Sequence, residues 1–350
     1  MIAERYSVED FNPKGRNIYM DAKSHFFIDT INTDTNELDI CMYNEEHELI
    51  RVINTGFLFK DTIYNEYPRR NEMIGLYSDG DLLYVYYTGY MYKKKDIAYV
   101  HIFDVQTGKR NNGIALQDIG SGNILSITYR WGYYFEPLWD DGSVIYQIKL
   151  DVIDDRILLD GYYRANVSDT ISSHTFYIFN MRGEQVLIGH TRGYEDGKEV
   201  YPIAFNEEGG IEQGIPLEYK LEAAANMIGY SFKEGFSTLQ RCFRASDMII
   251  EDDALWLSKY IYRIGSDSFN LMNYEPAIFG FKKQDGDWKF TEFINFLNFP
   301  ELRYNIFIDR ILRAEGDKLW LWVRVGHNLT ESYEKRYFDR EIWVIEESDN

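Results

Sequence analysis

The segment TYRWGYYFEPLWDDG at 128–142 holds a dense group of side chains that could bind a ligand. Trp and Tyr rings stack on sugars and anchor protein interfaces, and a charged group beside them adds strong hydrogen bonds. Gly132 and Pro137 interrupt the strand pattern and favour a loop that exposes the rings. The expected ligand-binding residues here are Arg130, Trp131, Tyr133, Tyr134 and Glu136. The structural alternative is a strand whose rings pack into the core on both faces.

A second candidate is the segment NEYPRRNEM at 65–73, where Arg69 and Arg70 form a local positive spot on an acidic protein. A guanidinium carries a planar fork of N–H donors that matches a carboxylate. The pair could therefore receive an acidic group of a ligand. The alternative is a solvated turn.

Metal motifs are incomplete. NTDTNELD at 32–39 begins like a calcium-binding loop, with Asn32, Asp34 and Asn36 at alternate positions. Glu37 replaces the required glycine and Tyr43 replaces the bidentate carboxylate, so a polar hairpin tip is predicted instead. Calcium held by loops from several repeats is left open. The six histidines show no HExxH spacing, so neither zinc nor any other cofactor is predicted.

Catalytic residues are unknown at this stage. Among 57 Asp and Glu residues no pair stands out as acid and base, and the chain has no Asp-Pro dipeptide and no GxSxG elbow. The GSG at 120–122 lacks the rest of a phosphate-binding loop. Whether the protein is an enzyme stays open.

Charge and hydropathy exclude two classes of partner. The net charge of −20 repels a phosphate backbone, so no nucleic-acid partner is expected. The N-terminus has no apolar signal-peptide core, and no run of about 18 apolar residues occurs, so no membrane span is expected. The default expectation is a cytoplasmic, soluble protein. A leader trimmed before Met1 would make it secreted or periplasmic.

A degenerate repeat organises the chain. An acidic or glycine turn precedes a short apolar strand in SDGDLLYVYY (78–87), EDDALWLSKY (251–260) and AEGDKLWLWV (314–323), and IDDRILLDGYY (153–163) is a fourth copy. A strand, a polar turn and a second strand follow at 38–53, 98–110, 174–189 and 277–293. The alternation and turn residues are those of β-hairpins. Together they predict four-stranded antiparallel units.

Repeated four-stranded units around an axis make a β-propeller. The fold class expected is all-β, a single propeller domain over 1–350. Six blades fit strand starts near Phe26, Leu83, Ile127, Tyr177, Leu255 and Leu319, and seven is the alternative. LEYKLEAAANMIGY at 217–230 contains good helix formers and predicts a helical insertion.

The strands HTFYIFNMRGEQVLIG and VHIFDVQTGK resemble repeats of the six-bladed TolB-like and NHL-like propellers. The resemblance covers about half of the chain and implies a fold, with no catalytic residue to carry over. Two functions are therefore expected. The first is a non-catalytic interaction module that binds a protein or a glycan at one propeller face. The alternative is a carbohydrate-active or lactonase-like enzyme with carboxylates at the central channel.

Overall fold

The structure is a computed structural model that describes residues 2–10, 12, 18–35, 37–58, 73–88, 98–116, 144–164, 172–192, 200–205, 211–216, 230–231, 248–251, 253–263, 274–296, 306–316, 318–327 and 337–346. Apart from a short 3-10 turn at Val8–Asp10, every regular element in these ranges is a β-strand. This agrees with the aromatic and β-branched composition, which suits pleated surfaces.

The strands are β1 (Ile2–Ser7), β2 (Ile18–Met20), β3 (Phe26–Asn32), β4 (Glu37–Tyr43), β5 (Leu49–Leu58), β6 (Met73–Ser78), β7 (Leu82–Thr88), β8 (Ala98–Asp104), β9 (Arg110–Leu116), β10 (Val144–Ile153), β11 (Arg156–Arg164), β12 (Ser172–Asn180), β13 (Gln185–Arg192), β14 (Val200–Phe205), β15 (Ile211–Pro216), β16 (Tyr230–Ser231), β17 (Met248–Glu251), β18 (Ala254–Arg263), β19 (Tyr274–Gln284), β20 (Asp287–Asn295), β21 (Ile306–Glu315), β22 (Lys318–His327) and β23 (Tyr337–Glu346).

The chain divides into two compact units. The internal unit spans Arg16–Leu217, and the terminal unit combines Met1–Gly15 with Glu218–Asn350. The expectation of one domain over 1–350 stays a prediction.

The internal unit contains three four-stranded antiparallel sheets with strand orders β2-β3-β4-β5, β6-β7-β8-β9 and β10-β11-β12-β13, followed by the hairpin β14-β15. Consecutive strands pair with each other, so each sheet is a meander. The first strands of successive sheets contact one another, β2 with β6, β6 with β10 and β10 with β14. This arrangement, with the first strand of each sheet innermost, is that of β-propeller blades.

Two apolar clusters fill the spaces between these three sheets. One packs side chains of the first sheet, including Phe27 and Ile40, against Leu83 and Phe103 of the second. The other packs Tyr86 and further residues of the second sheet against Ile157, Leu159 and Phe179 of the third. Each sheet therefore buries residues against its neighbour, as in stacked blades.

The terminal unit contains two more sheets. In one, β18, β19 and β20 form a meander, and both β16 and β17 pair with β18. The other has the order β1-β23-β22-β21, in which the N-terminal strand pairs with the C-terminal strand. Trp343 and Leu321 lie in the core cluster of this unit.

The described chain is thus all-β, built of four-stranded antiparallel propeller blades. The expected count of six blades, with seven as the alternative, is wrong, because the described residues form five blade sheets, four with four strands and one with five, besides the two-stranded hairpin β14-β15. The count treated Tyr177 as the start of a separate unit, whereas Tyr177 lies in β12, the third strand of the β10–β13 sheet.

The predicted repeat is confirmed at strand level. The four turn-and-strand copies correspond to β7, β11, β18 and β22. Each of these strands pairs with the strand or strands that come first in its sheet along the chain. The four hairpins correspond to β4–β5, β8–β9, β12–β13 and β19–β20. The predicted insertion at 217–230 lies outside the described residues except at its last position. No helix in the described part of the chain is long and apolar enough to cross a membrane.

Candidate functional site

The ligand-binding residues predicted from sequence lie outside the described residues. Arg69 and Arg70 fall within 59–72, and the aromatic segment with Arg130, Trp131, Tyr133, Tyr134 and Glu136 falls within 117–143. Their roles stay predictions. The structure instead brings together a different set of side chains.

This set lies in the internal unit, on its innermost strands and the adjoining β7. Tyr19 is in β2, Tyr77 is in β6 and Asp151 is in β10. Tyr84 joins them from β7, where it stands directly opposite Tyr77 in the antiparallel pairing. These four residues are called the tyrosine–aspartate cluster below.

The three rings form a continuous series. The ring centroids of Tyr19 and Tyr77 are 5.9 Å apart, and those of Tyr77 and Tyr84 are 5.8 Å apart. Both pairs are tilted, a geometry that aromatic quadrupoles favour over a face-to-face sandwich. The Tyr19 hydroxyl donates to the Ser78 carbonyl at 3.2 Å, which ties the inner strand of the first sheet to that of the second. Tyr84 is buried, whereas Tyr19 and Tyr77 are partly exposed.

The hydroxyls of these tyrosines remain protonated at neutral pH. Burial, followed by the charge of Asp151, raises the pKa of Tyr77 to about 12. Burial and then Asp151 also raise the pKa of Tyr19 well above its ordinary value. Both groups can therefore donate hydrogen bonds, but neither is a base near pH 7.

Carboxylates surround the rings. Asp151 is partly exposed on β10, and its charge acts on both Tyr19 and Tyr77. The charges of Asp79 and Asp155, both in exposed turns, act on Tyr84, whose pKa is raised first by burial and then by them. The cluster thus combines protonated hydroxyl donors with anionic acceptors.

Local turn chemistry sets the positions of these carboxylates. The Asp79 side chain accepts the backbone N–H groups of Asp81 and Leu82 at 2.9 and 2.7 Å, which closes the turn between β6 and β7. Asp154 and Asp155 both have positive φ, 47° and 54°, and form the two-residue turn between β10 and β11.

A lysine joins the first two sheets beside the cluster. Lys23 donates to the Gly80 carbonyl at 3.0 Å and pairs with Asp81 at 2.7 Å. Gly80 has φ +92°, and a Cβ built there would lie 2.8 Å from the Lys23 Cε. The positive φ therefore favours glycine at this position, whereas the close contact could be relieved by a shift of the flexible Lys23 side chain.

The turn between β2 and β3 is built around a buried carboxylate. Asp21 accepts backbone N–H groups of Lys23 and His25, both at 2.9 Å, and its other oxygen lies 3.1 Å from the His25 Nδ1. In neutral His25 this contact places the proton on Nδ1 and leaves Nε2 as an acceptor. His25 is partly exposed, so it is a further polar group on the same sheet end.

The cluster brings together the chemical groups that a ligand with many hydroxyl groups would contact. Ring surfaces, hydroxyl donors and carboxylate acceptors within one patch are the groups that contact sugar rings and their hydroxyls. The sequence carried one signal for it, since Tyr77 immediately precedes the repeated turn SDGD and so lies next to the end of an inner strand. Tyr19 and Asp151 had no such signal.

The predicted hairpin tip is found where the sequence has an incomplete calcium motif. The Asn32 side chain accepts the backbone N–H groups of Asp34 and Thr35 at 3.0 and 3.3 Å, so the segment between β3 and β4 is the polar hairpin tip that was predicted. Within the described ranges, no three His, Cys, Asp or Glu side chains come together as a metal site.

Comparisons with known proteins give a fold likeness and no family. No protein-family model and no curated protein matches the chain. Solved structures that resemble it include the Bacteroides ovatus xyloglucan PUL GH43B, with 10% identity, TM-score 0.43, and coverage of 98% of this chain and 54% of that one. The xylan β-1,4-xylosidase from Bacillus halodurans C-125 has 10% identity, TM-score 0.41, and coverage of 96% and 54%.

An α-L-arabinofuranosidase from Lactobacillus brevis has 9% identity, TM-score 0.40, and coverage of 99% of this chain and 95% of that one. The chain spans about half the length of the first two solved proteins. At these identities and TM-scores the similarities assign no activity to this chain. The resemblance to six-bladed TolB-like and NHL-like propellers holds for the blade architecture and not for the number of blades.

Proposed function

We propose that this propeller protein is carbohydrate-active and holds a neutral glycan against the tyrosine–aspartate cluster. The observation that carries the proposal is the convergence of Tyr19, Tyr77 and Asp151 from three successive inner strands. The two tyrosine rings offer an apolar surface for the C–H face of a sugar. The protonated Tyr77 hydroxyl donates to its oxygens, and the Tyr19 hydroxyl, which already donates to the Ser78 carbonyl, can accept from its hydroxyls. Asp151 accepts from its hydroxyls.

Charge selects the class of glycan. The net charge of −20, together with Asp79, Asp151 and Asp155 around the rings, opposes binding of a uronic or sulfated polymer. A neutral oligosaccharide meets no such repulsion. The proposal therefore excludes polyanionic polysaccharides as ligands.

The test is a binding screen of the purified protein against neutral, uronate-containing and sulfated oligosaccharides by calorimetry. Binding of a neutral glycan at low and at about 0.5 M salt supports the proposal, since a neutral ligand has little salt dependence. Selective binding of an anionic glycan, or of none, would contradict it. The same mixtures, assayed for new reducing ends with wild type and Asp151→Asn, show whether the bound glycan is also cleaved.

Protein binding is a second candidate function, favoured by one observation. Leu49, Ile50 and Val52 on the outermost strand of the first sheet are 54%, 46% and 48% exposed. Exposed aliphatic groups on a sheet edge suit the addition of a partner strand. A pull-down from the native host with wild type and with Ile50→Asp tests it, and a partner retained equally by both would exclude this edge.

A further inference from the structure

Asp39 on β4 is a buried carboxylate with only one of its oxygens satisfied. The residue is 6% exposed, and its Oδ2 accepts the Asn32 Nδ2 at 3.1 Å. Its Oδ1 is buried and has no hydrogen-bond partner among the described residues. A buried charge without a partner is costly, so such an oxygen indicates a group that the protein chain does not itself supply.

The surroundings of Asp39 are rich in oxygen atoms. Thr30 on β3 stands directly opposite Asp39, and Asn32 stands directly opposite Glu37. Residues opposite each other or two apart on a strand share one face of a sheet, so Thr30, Asn32, Glu37 and Asp39 lie on one face. This group of four is called the oxygen patch below.

Two amides hold the carboxylates of the patch in position. Asn32 donates to one oxygen of Asp39, and Asn54 donates to Glu37 Oε2 at 3.0 Å. The amides occupy one oxygen of each carboxylate. Asp39 Oδ1 and the second oxygen of Glu37 are therefore available to a ligand.

The patch carries two negative charges without a balancing cation. In the described part of the chain neither Asp39 nor Glu37 takes part in an ion pair, and the neighbouring strand β5 supplies no cation to either of them. Two carboxylates two residues apart on one strand face repel each other. A bound cation would relieve this repulsion and satisfy Asp39 Oδ1 at the same time.

We propose that the oxygen patch binds a calcium ion through Asp39 Oδ1, the Glu37 carboxylate and the Thr30 hydroxyl. Calcium prefers hard oxygen donors of this kind and takes six to eight oxygen ligands in a flexible geometry. Water molecules would supply the ligands that the protein does not. The donor set differs from the alternate Asn32, Asp34 and Asn36 pattern of the hairpin tip. With only two carboxylates and partial hydration, the expected Kd is on the order of 0.1–1 mM.

The experiment compares calcium binding and thermal unfolding of wild type, Asp39→Asn and Asp34→Asn at neutral pH. Asp34 is the matched control, since it is an exposed carboxylate in the same hairpin whose side chain is outside the patch. In about 10 mM calcium, compared with EDTA, the wild-type Tm is expected to rise by roughly 3–5 °C. Asp34→Asn keeps this rise, and Asp39→Asn loses it together with the calorimetric binding signal.

Removal of the buried charge has a second expected effect. In EDTA, the Tm of Asp39→Asn is expected to equal or exceed that of wild type, because the unpaired charge is gone and the amide can still contact Asn32. This separates loss of the site from loss of folding. A wild type whose Tm and calorimetry do not respond to calcium overturns the proposal, as does an Asp39→Asn variant that responds like wild type. An equal response to sodium at matched ionic strength would show charge screening only, and an equal response to magnesium would show a site without preference for calcium; either result overturns the proposal.

Discussion

The rings of Tyr19 and Tyr77 lie 5.9 Å apart although the two residues belong to different sheets. Tyr19 is the middle residue of β2 and Tyr77 is the next-to-last residue of β6, and the contact is supported by the hydrogen bond from Tyr19 to the Ser78 carbonyl. The same side chains therefore pack two blades together and present hydroxyls beside Asp151. A substitution in this set can therefore change both the stability of the fold and the proposed ligand binding. The variants must be chosen to separate these two effects.

The high pKa of Tyr77 predicts a loss of stability at alkaline pH. Its folded-state pKa of about 12 lies above the ordinary value of 10, so the unfolded chain loses the proton first as the pH rises. The contribution is complete below pH 10 and is lost between pH 10 and 12, by at most about 1.4 kcal/mol per pH unit. Denaturant unfolding across this range should show a shallower decline for Tyr77→Phe than for wild type. Parallel declines would contradict the assignment.

The pairing of the N-terminal strand β1 with β23 predicts that Arg5 contributes measurably to the free energy of unfolding. Arg5 donates to both oxygens of Glu341 at 2.8 and 2.9 Å, across 336 residues of sequence, and its guanidinium lies 4.9 Å from the Trp343 ring centroid. A bidentate pair on an indole is stronger than a simple surface pair. Arg5→Ala is therefore expected to lower the free energy of unfolding by about 1–2 kcal/mol.

The control for Arg5 lies in the same sheet. Lys318 and Glu346 form a 2.6 Å pair in which both side chains are more than one-third exposed. Lys318→Ala should change the free energy of unfolding by less than about 0.5 kcal/mol. Equal losses for the two variants, measured by chemical denaturation, would show that the strand closure does not depend on Arg5.

A side chain added at position 183 in the third sheet is expected to clash with the backbone of the second sheet. Gly183 has φ +81°, and a Cβ there would lie 1.9 Å from the Ala115 carbonyl oxygen on β9. Gly286 has nearly the same φ, +82°, but no atom lies within 4 Å of its Cβ position. Gly183→Ala is expected to cost more than about 3 kcal/mol and Gly286→Ala about 1 kcal/mol. Similar losses of unfolding free energy for the two variants would contradict this close contact between the third sheet and β9.

The strands and hairpins were predictable because their signals are local. Turn residues such as Asp285-Gly286, which adopt φ +54° and +82°, mark a two-residue hairpin directly in the sequence. The blade count was not predictable in this way. Connections differ in length, and one sheet takes its fourth strand, β1, from the opposite end of the chain.

The candidate site was not predictable from sequence because its members are far apart in the chain. Tyr19, Tyr77 and Asp151 come from three sheets, and only Tyr77, beside the repeated SDGD turn, has a local signal in the sequence. The burial of Asp39 was likewise hidden, since it depends on the pairing of three strands. Sequence spacing drew attention to Asp34 instead, which the structure shows to be an exposed turn residue.

The central claim, a neutral-glycan site at the tyrosine–aspartate cluster, is tested most directly by calorimetric affinity for the glycan found in the screen. Tyr77→Phe keeps the ring and removes one donor, and Asp151→Asn removes the anionic acceptor. Each is expected to weaken binding by about tenfold, the effect of losing one hydrogen bond of about 1.4 kcal/mol. Val186→Ala, at an exposed position on β13, should leave affinity unchanged. Wild-type affinity in both cluster variants would contradict the account.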